Sequence, residues 1–191
     1  MKVRQALDRL RMRCSRSECC RAQAEKLLLR WIARGAGAQD PDDPPGAAGS
    51  AAAGAKITGP DAGREDRTLC AADIPYILDR LEEERFIDDR RFAGAYVRDK
   101  LSLSRWGKNK IRYGLHSLGI SAEVAAQALE ACGPEEAVLR KVVEQKWNAL
   151  KKDPLPTRKM KVLRFAAGRG FGCADVLECL QELIREEKER D

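Results

Sequence analysis

The chain has 191 residues, 43% apolar and 35% charged but only 5% aromatic, enough to bury a core and better suited to surface-rich helices than to a strand-built barrel. Lysine and arginine outnumber aspartate and glutamate 36 to 30, a net charge of +6; the excess suits a polyanionic or acidic partner, although a charge run is more often only a solvated helix face. The start, MKVRQALDRL, lacks the apolar core of a secretory signal and no stretch approaches the roughly 18 apolar residues that span a bilayer, so a cytoplasmic protein with no membrane partner is expected.

Between Met1 and Arg34 ten basic residues face only Asp8, Glu18 and Glu25. Ala6, Leu7 and Leu10 mark a first helix, Ser15 is placed to cap a second over Ala22 to Ile32, and Ile74 to Leu81 form a third. The text between the second and third, Gly35 to Thr68, is rich in Gly, Ala, Pro and Asp without apolar periodicity, and predicts a disordered insertion over residues 35–68. Residues 1–87 thus make a first, divergent three-helix repeat.

The stretch FIDDRRFAGAYV, Phe86 to Val97, sets two aspartates at the head of an apolar run. Adjacent carboxylates can hold a metal or share a proton, but neither a histidine nor a second acidic motif stands at ligand spacing. With Asp88 as N-cap, Ile87 and Phe92 take the positions of a hydrophobic staple, Asp89 suits the helix dipole, and Phe92, Ala93, Tyr96, Val97 and Leu101 share one face. In WGKNKIRYGLHSLGI, after Gly107, Ile111, Leu115 and Leu118 continue a helix that Gly119 ends in the left-handed conformation, with Ile120 folding back. Ser121 then caps a helix through Leu129 that stops at Gly133-Pro134, closing a second repeat over residues 88–133.

The pattern recurs downstream. Gly170 to Leu180 repeats Gly119 to Leu129, and Lys159 to Val162 takes the place of Lys108 to Ile111. Val138, Val142, Val143 and Lys146 match Phe92, Tyr96, Val97 and Lys100. Residues 134–191 are therefore a third repeat with an acidic tail, and Leu81, Leu129 and Leu180 close successive copies about 50 residues apart. The expected fold is all-α, an elongated right-handed array of three tandem three-helix repeats. The seven cysteines are odd in number with no paired CxxC spacing, which predicts reduced thiols, no disulfide and no zinc.

Laid out this way, the chain resembles the RecX family of bacterial recombination regulators, through ALDRLRMRCSRSECCRAQAEKLL, FIDDRRFAGAYV, WGKNKIRYGLHSLGI and the RGF at Arg169 to Phe171. The signature residues are Asp88, Asp89, Phe92, Ala93, Gly107, Ile111, Leu115 and Gly119. The chain departs from the family pattern in the insertion and in Cys19-Cys20, where an acidic-apolar pair is common. The resemblance implies a non-enzymatic modulator that binds the groove of the RecA filament on single-stranded DNA. Such a protein limits filament growth and depresses ATP turnover, strand exchange and repressor cleavage. It carries no catalytic residue, metal or cofactor, and a monomer is expected. His116 reads as a surface or helix-packing residue.

Two basic zones lie at corresponding places in successive copies: Arg98, Lys100, Arg105, Lys108, Lys110 and Arg112, then Lys146, Lys151, Lys152, Arg158, Lys159, Lys161 and Arg164. They form a candidate stripe for DNA phosphates or an acidic RecA surface. Trp106 suits core packing better than base stacking. Two other readings stand beside this one: a helical protein that binds nucleic acid directly, if weakly, without RecA, and an adaptor that uses the grooves between repeats.

Overall fold

Apolar residues recurring every three or four positions give each helix a single stripe to bury. The computed structural model describes residues 1–34 and 62–190, and these are all-α, with no strand beyond an isolated bridge between Lys2 and Thr68. No helix among the described residues is long and apolar enough to cross a membrane. The chain divides into two compact units, Met1–Phe92 and Ala93–Asp191.

In the first unit α1 (Val3–Arg16), α2 (Arg21–Arg34) and α4 (Ile74–Glu83) pack through Leu7 and Leu10, Leu27, Leu28 and Trp31, and Ile77, Leu78 and Leu81. Between α2 and α4 lie the single-turn α3 (Ala62–Glu65) and a 3-10 turn at Ala71–Asp73. Ser15 does not cap α2. It lies in the last turn of α1, which runs on to Arg16, and its hydroxyl donates back to the Met12 carbonyl at 2.8 Å, a local bond that competes with capping.

The insertion expected over residues 35–68 is corrected at its C-terminal end; residues 35–61 lie outside the described residues. The Val3 amide donates to the Arg67 carbonyl at 3.0 Å and the Leu69 amide to that of Met1 at 2.9 Å. Asp73, fully buried, accepts from the side chains of Arg64 and Arg67 and from the Cys70 thiol. Burial alone would push the Asp73 carboxyl up, but these donors hold it below the usual carboxylate range. A buried carboxylate thus ties residues 64–67 to the core.

The two aspartates of FIDDRRF have separate tasks at the start of α5 (Asp89–Ser102). Asp88 Oδ1 accepts from the amides of Arg90 and Arg91 at 2.9 and 3.1 Å, as an N-cap does. Asp89 Oδ1 instead accepts from the Arg21 amide at 3.2 Å, at the head of α2. The carboxylate therefore satisfies the first free amide of a helix 68 residues upstream.

The second unit continues α5 and adds α6 (Lys108–Ser117), α7 (Ala122–Ala131), α8 (Glu136–Ala149), α9 (Leu155–Gly168) and α10 (Cys173–Arg190). Gly119 and Gly170 take φ of 75° and 94°, and the next residue, Ile120 or Phe171, donates back to the carbonyl of Leu115 or Ala166. This is the same helix-ending motif written twice. The acidic tail is the end of α10. Its Glu182 and Glu186 pair with Arg140 of α8, and Glu187 accepts from the Trp147 indole at 2.9 Å.

Two outcomes test this account by denaturant unfolding. Arg64→Ala with Arg67→Ala, which strips Asp73 of its cations, should cost about 1–3 kcal/mol, with part of the loss recovered when Asp73 is also replaced by Ala. Asp88→Ala should cost about 0.5–2 kcal/mol while Asp88→Asn, which caps equally well, should be near neutral.

Candidate functional site

The second unit brings α6 against the turn between α9 and α10 through backbone alone. The Gly107 amide donates to the Arg169 carbonyl at 2.8 Å and the Asn109 amide to the Gly170 carbonyl at 3.3 Å. A Cβ on Gly107 would stand 2.5 Å from the Gly170 carbonyl carbon and oxygen, and one on Gly170 would stand 2.5 Å from the Lys110 nitrogen. Only glycine allows this approach. Glu135, just before α8, completes the contact by accepting from the Lys108 amide at 2.6 Å. At the spacing that pairs Phe92 with Val138, Glu135 is the counterpart of Asp89, and each carboxylate caps the second helix of the preceding repeat.

Along this contact five cations converge, four of them on aromatic faces. Lys100 Nζ lies 4.9 Å and Lys110 Nζ 4.6 Å from the Trp106 ring centre, and Lys110 also donates to the Gly168 carbonyl at 3.2 Å. Lys146 Nζ and Arg169 Cζ lie 5.0 and 4.8 Å from the centre of Phe165. Arg169 reaches back to the Ser104 carbonyl at 2.8 Å, and Arg105, in the left-handed conformation with φ of 52°, bonds the Gln145 side chain. A depression of about 160 Å³ opens there, lined by Val142, Ala149 and Phe165 with Arg105, Lys146 and Arg169 and by no carboxylate.

Among the described residues none of Lys100, Arg105, Lys110, Lys146 and Arg169 pairs with a carboxylate. Ring faces hold cations through their quadrupole and carry no net charge. The positive charge of the seam is therefore positioned without being neutralised, and it is available to an anion.

The thirteen basic residues marked in the sequence separate in the structure. Lys100, Arg105, Lys110 and Lys146 join the seam, together with Arg169. Arg98, Lys151, Lys152, Lys159 and Arg164 are exposed and Lys108 is half-buried. Arg112 is exposed and bonds Asn109, and Lys161 pairs with Asp153 at 2.8 Å. Arg158 is corrected: it is buried, its guanidinium 3.6 Å from the Trp147 ring centre, donating to the Trp147 carbonyl at 3.0 Å and facing Glu187. The Trp147 indole, backed by the Arg158 charge, holds the Glu187 carboxyl below its usual range against desolvation. Arg158 belongs to the core of the third repeat.

Of the signature residues Phe92, Ala93, Ile111 and Leu115 are buried, Gly107 forms the backbone contact and Gly119 the turn. Trp106 is half-buried under its lysines. Sequence reasoning quoted Arg169 in the RGF motif without giving it a role in the surface, and missed Phe165; the one available signal was their place beside a repeated glycine turn.

Family models for the second and third three-helix domains of RecX match residues 88–129 and 134–180. The regulatory protein RecX of Chlorobium phaeobacteroides is 33% identical over 121 residues, 63% of this chain and 79% of that protein. That of Clostridium tetani is 33% identical over 115 residues, 58% of this chain and 52% of its own length, so the chain spans about half of this relative. The crystal structure of RecX from Lactobacillus salivarius superposes with a TM-score of 0.67 over 95% of this chain and 96% of that one; at 17% identity it shows the fold alone.

The backbone contact is tested by Gly170→Ala, which combines a backbone clash with a positive φ and should cost about 2–4 kcal/mol in denaturant unfolding. Gly168→Ala, two residues earlier at the end of α9 and with nothing within 4 Å of its Cβ, should be neutral or stabilise by up to about 1 kcal/mol.

Proposed function

The chain belongs to the RecX family, and we propose that it is a negative regulator of the RecA recombinase, binding the groove of the RecA filament on single-stranded DNA and limiting filament growth. The observation that carries this reading is the seam of five cations, four held on aromatic faces and Arg105 on Gln145, with no carboxylate paired to them among the described residues. Such a surface attracts a polyanion by counterion release and by direct contact, and it orients little chemistry of its own. Regulation by occupancy requires no more. ATP turnover, strand exchange and repressor cleavage all depend on the filament, so a protein lodged in its groove depresses all three.

The test uses the Lys100→Gln, Lys110→Gln, Lys146→Gln triple variant. Each substitution removes a cation–π contact worth at most about 1 kcal/mol at an exposed site, so the variant should remain folded. It should lose inhibition of RecA ATP turnover on single-stranded DNA. Its binding should depend less steeply on salt, the log–log slope shallower by about 2 for three lost phosphate contacts. Full inhibition by the folded variant across a salt series overturns the reading and puts the functional surface elsewhere.

A further inference from the structure

The ten aromatic residues of the chain all lie among those described, and nine are buried or half-buried. Tyr113 is the exception, 76% exposed on α6. Its ring leaves in water apolar area that the other nine remove at least in part. It also stands in a particular place. Lys110 precedes it by three residues, so the two are neighbours on the surface of one helix, and the ammonium of Lys110 lies in the seam against Trp106. At the spacing that pairs Lys108 with Lys159, the counterpart of Tyr113 in the third repeat is Arg164, likewise exposed. Both positions carry flat side chains able to stack on a nucleobase.

We propose that Tyr113 is a base-stacking platform for single-stranded nucleic acid whose phosphates lie on the neighbouring cations, with Arg164 offering the matched planar surface one repeat further on. The proposal deepens the regulatory reading, on which it rests for the presence of a single strand, by separating two kinds of contact. Lysine and arginine of the seam meet the backbone; Tyr113 meets a base through its π-face. Every base has such a face, so the contact carries no sequence preference, and the bases of a duplex are stacked on one another and do not offer it. The platform thus distinguishes a single strand from a duplex, which a row of cations alone does poorly.

The experiment measures fluorescence anisotropy of a labelled oligothymidylate and of a duplex of equal length, over a salt series, with the full chain and its Tyr113→Ala and Tyr113→Phe variants. Tyr113→Ala should weaken single-strand binding by about five- to a hundredfold at every salt concentration, leaving the salt slope unchanged, because a stacked base releases no counterion. Tyr113→Phe should keep the affinity and duplex binding should be unaffected by either change. The proposal is overturned if the full chain does not bind the oligothymidylate, if Tyr113→Ala binds as tightly as the original, if Phe fails as badly as Ala, or if the duplex loses as much as the single strand. Inhibition of RecA ATP turnover is measured separately. Inhibition by the original chain with no effect of Tyr113→Ala on the oligonucleotide sinks the platform and spares the regulator, and the reverse pattern does the opposite.

Discussion

The backbones of Gly107 and Gly170 meet with no room for a Cβ between them, and the candidate surface depends on that approach. Lys100, Lys110 and Arg105 belong to one repeat, Lys146 and Arg169 to the next; they share a surface because two backbone hydrogen bonds join Gly107 to Arg169 and Asn109 to Gly170. Long basic side chains have many rotamers, and a charged surface built from them alone would be diffuse. Here the aromatic faces of Trp106 and Phe165 localise the ammonium and guanidinium groups, while the glycine contact localises the rings. Glycine in this position sacrifices conformational entropy in exchange for a fixed distance between repeats.

How far the sequence discloses this follows from how local each interaction is. The glycine turns at Gly119 and Gly170, the cap at Asp88 and the apolar stripes of α5, α6 and α9 each involve residues within about one or two turns, and all are legible. Asp89 looks like a second first-turn carboxylate and acts instead on Arg21, 68 residues away. Arg158 sits in a run of basic residues and reads as surface, yet α8 and α10 bring Trp147 and Glu187 around it. Arg64 and Arg67 adjoin the insertion and read as part of it, yet the buried carboxylate of Asp73, the Tyr76 ring and the backbone bond from Val3 hold them. For Asp89 and Arg158 the deciding partner is distant in the chain, where periodicity carries no information; for Arg64 and Arg67 it is near, but lies in a 3-10 turn without helical periodicity.

The third repeat departs from the second at this contact. At the spacing that matches Lys108 with Lys159, the position of Gly107 is occupied by Arg158, so the close backbone approach that Gly107 allows is not available at that position. Arg158 turns inward onto Trp147, and the long α10 supplies Glu182, Glu186 and Glu187 to pair with Arg140 and Arg158. What reads as an acidic tail is therefore partnered within the third repeat itself.

Capping by the following repeat has a consequence for the spacing between helices. The carboxylate of Glu135 closes onto Lys108 over 27 residues, and that of Asp89 closes onto Arg21 over 68. For a flexible chain the entropy of closure grows only with the logarithm of its length, so the longer circuit costs about 0.8 kcal/mol more than the shorter one. A single charge-assisted hydrogen bond at a helix end offsets a difference of that size. The first repeat can therefore carry residues 35–61 between its helices in sequence and still be closed by the same kind of clasp as the second, which is why a long interruption and a repeated geometry of capping are compatible in one chain.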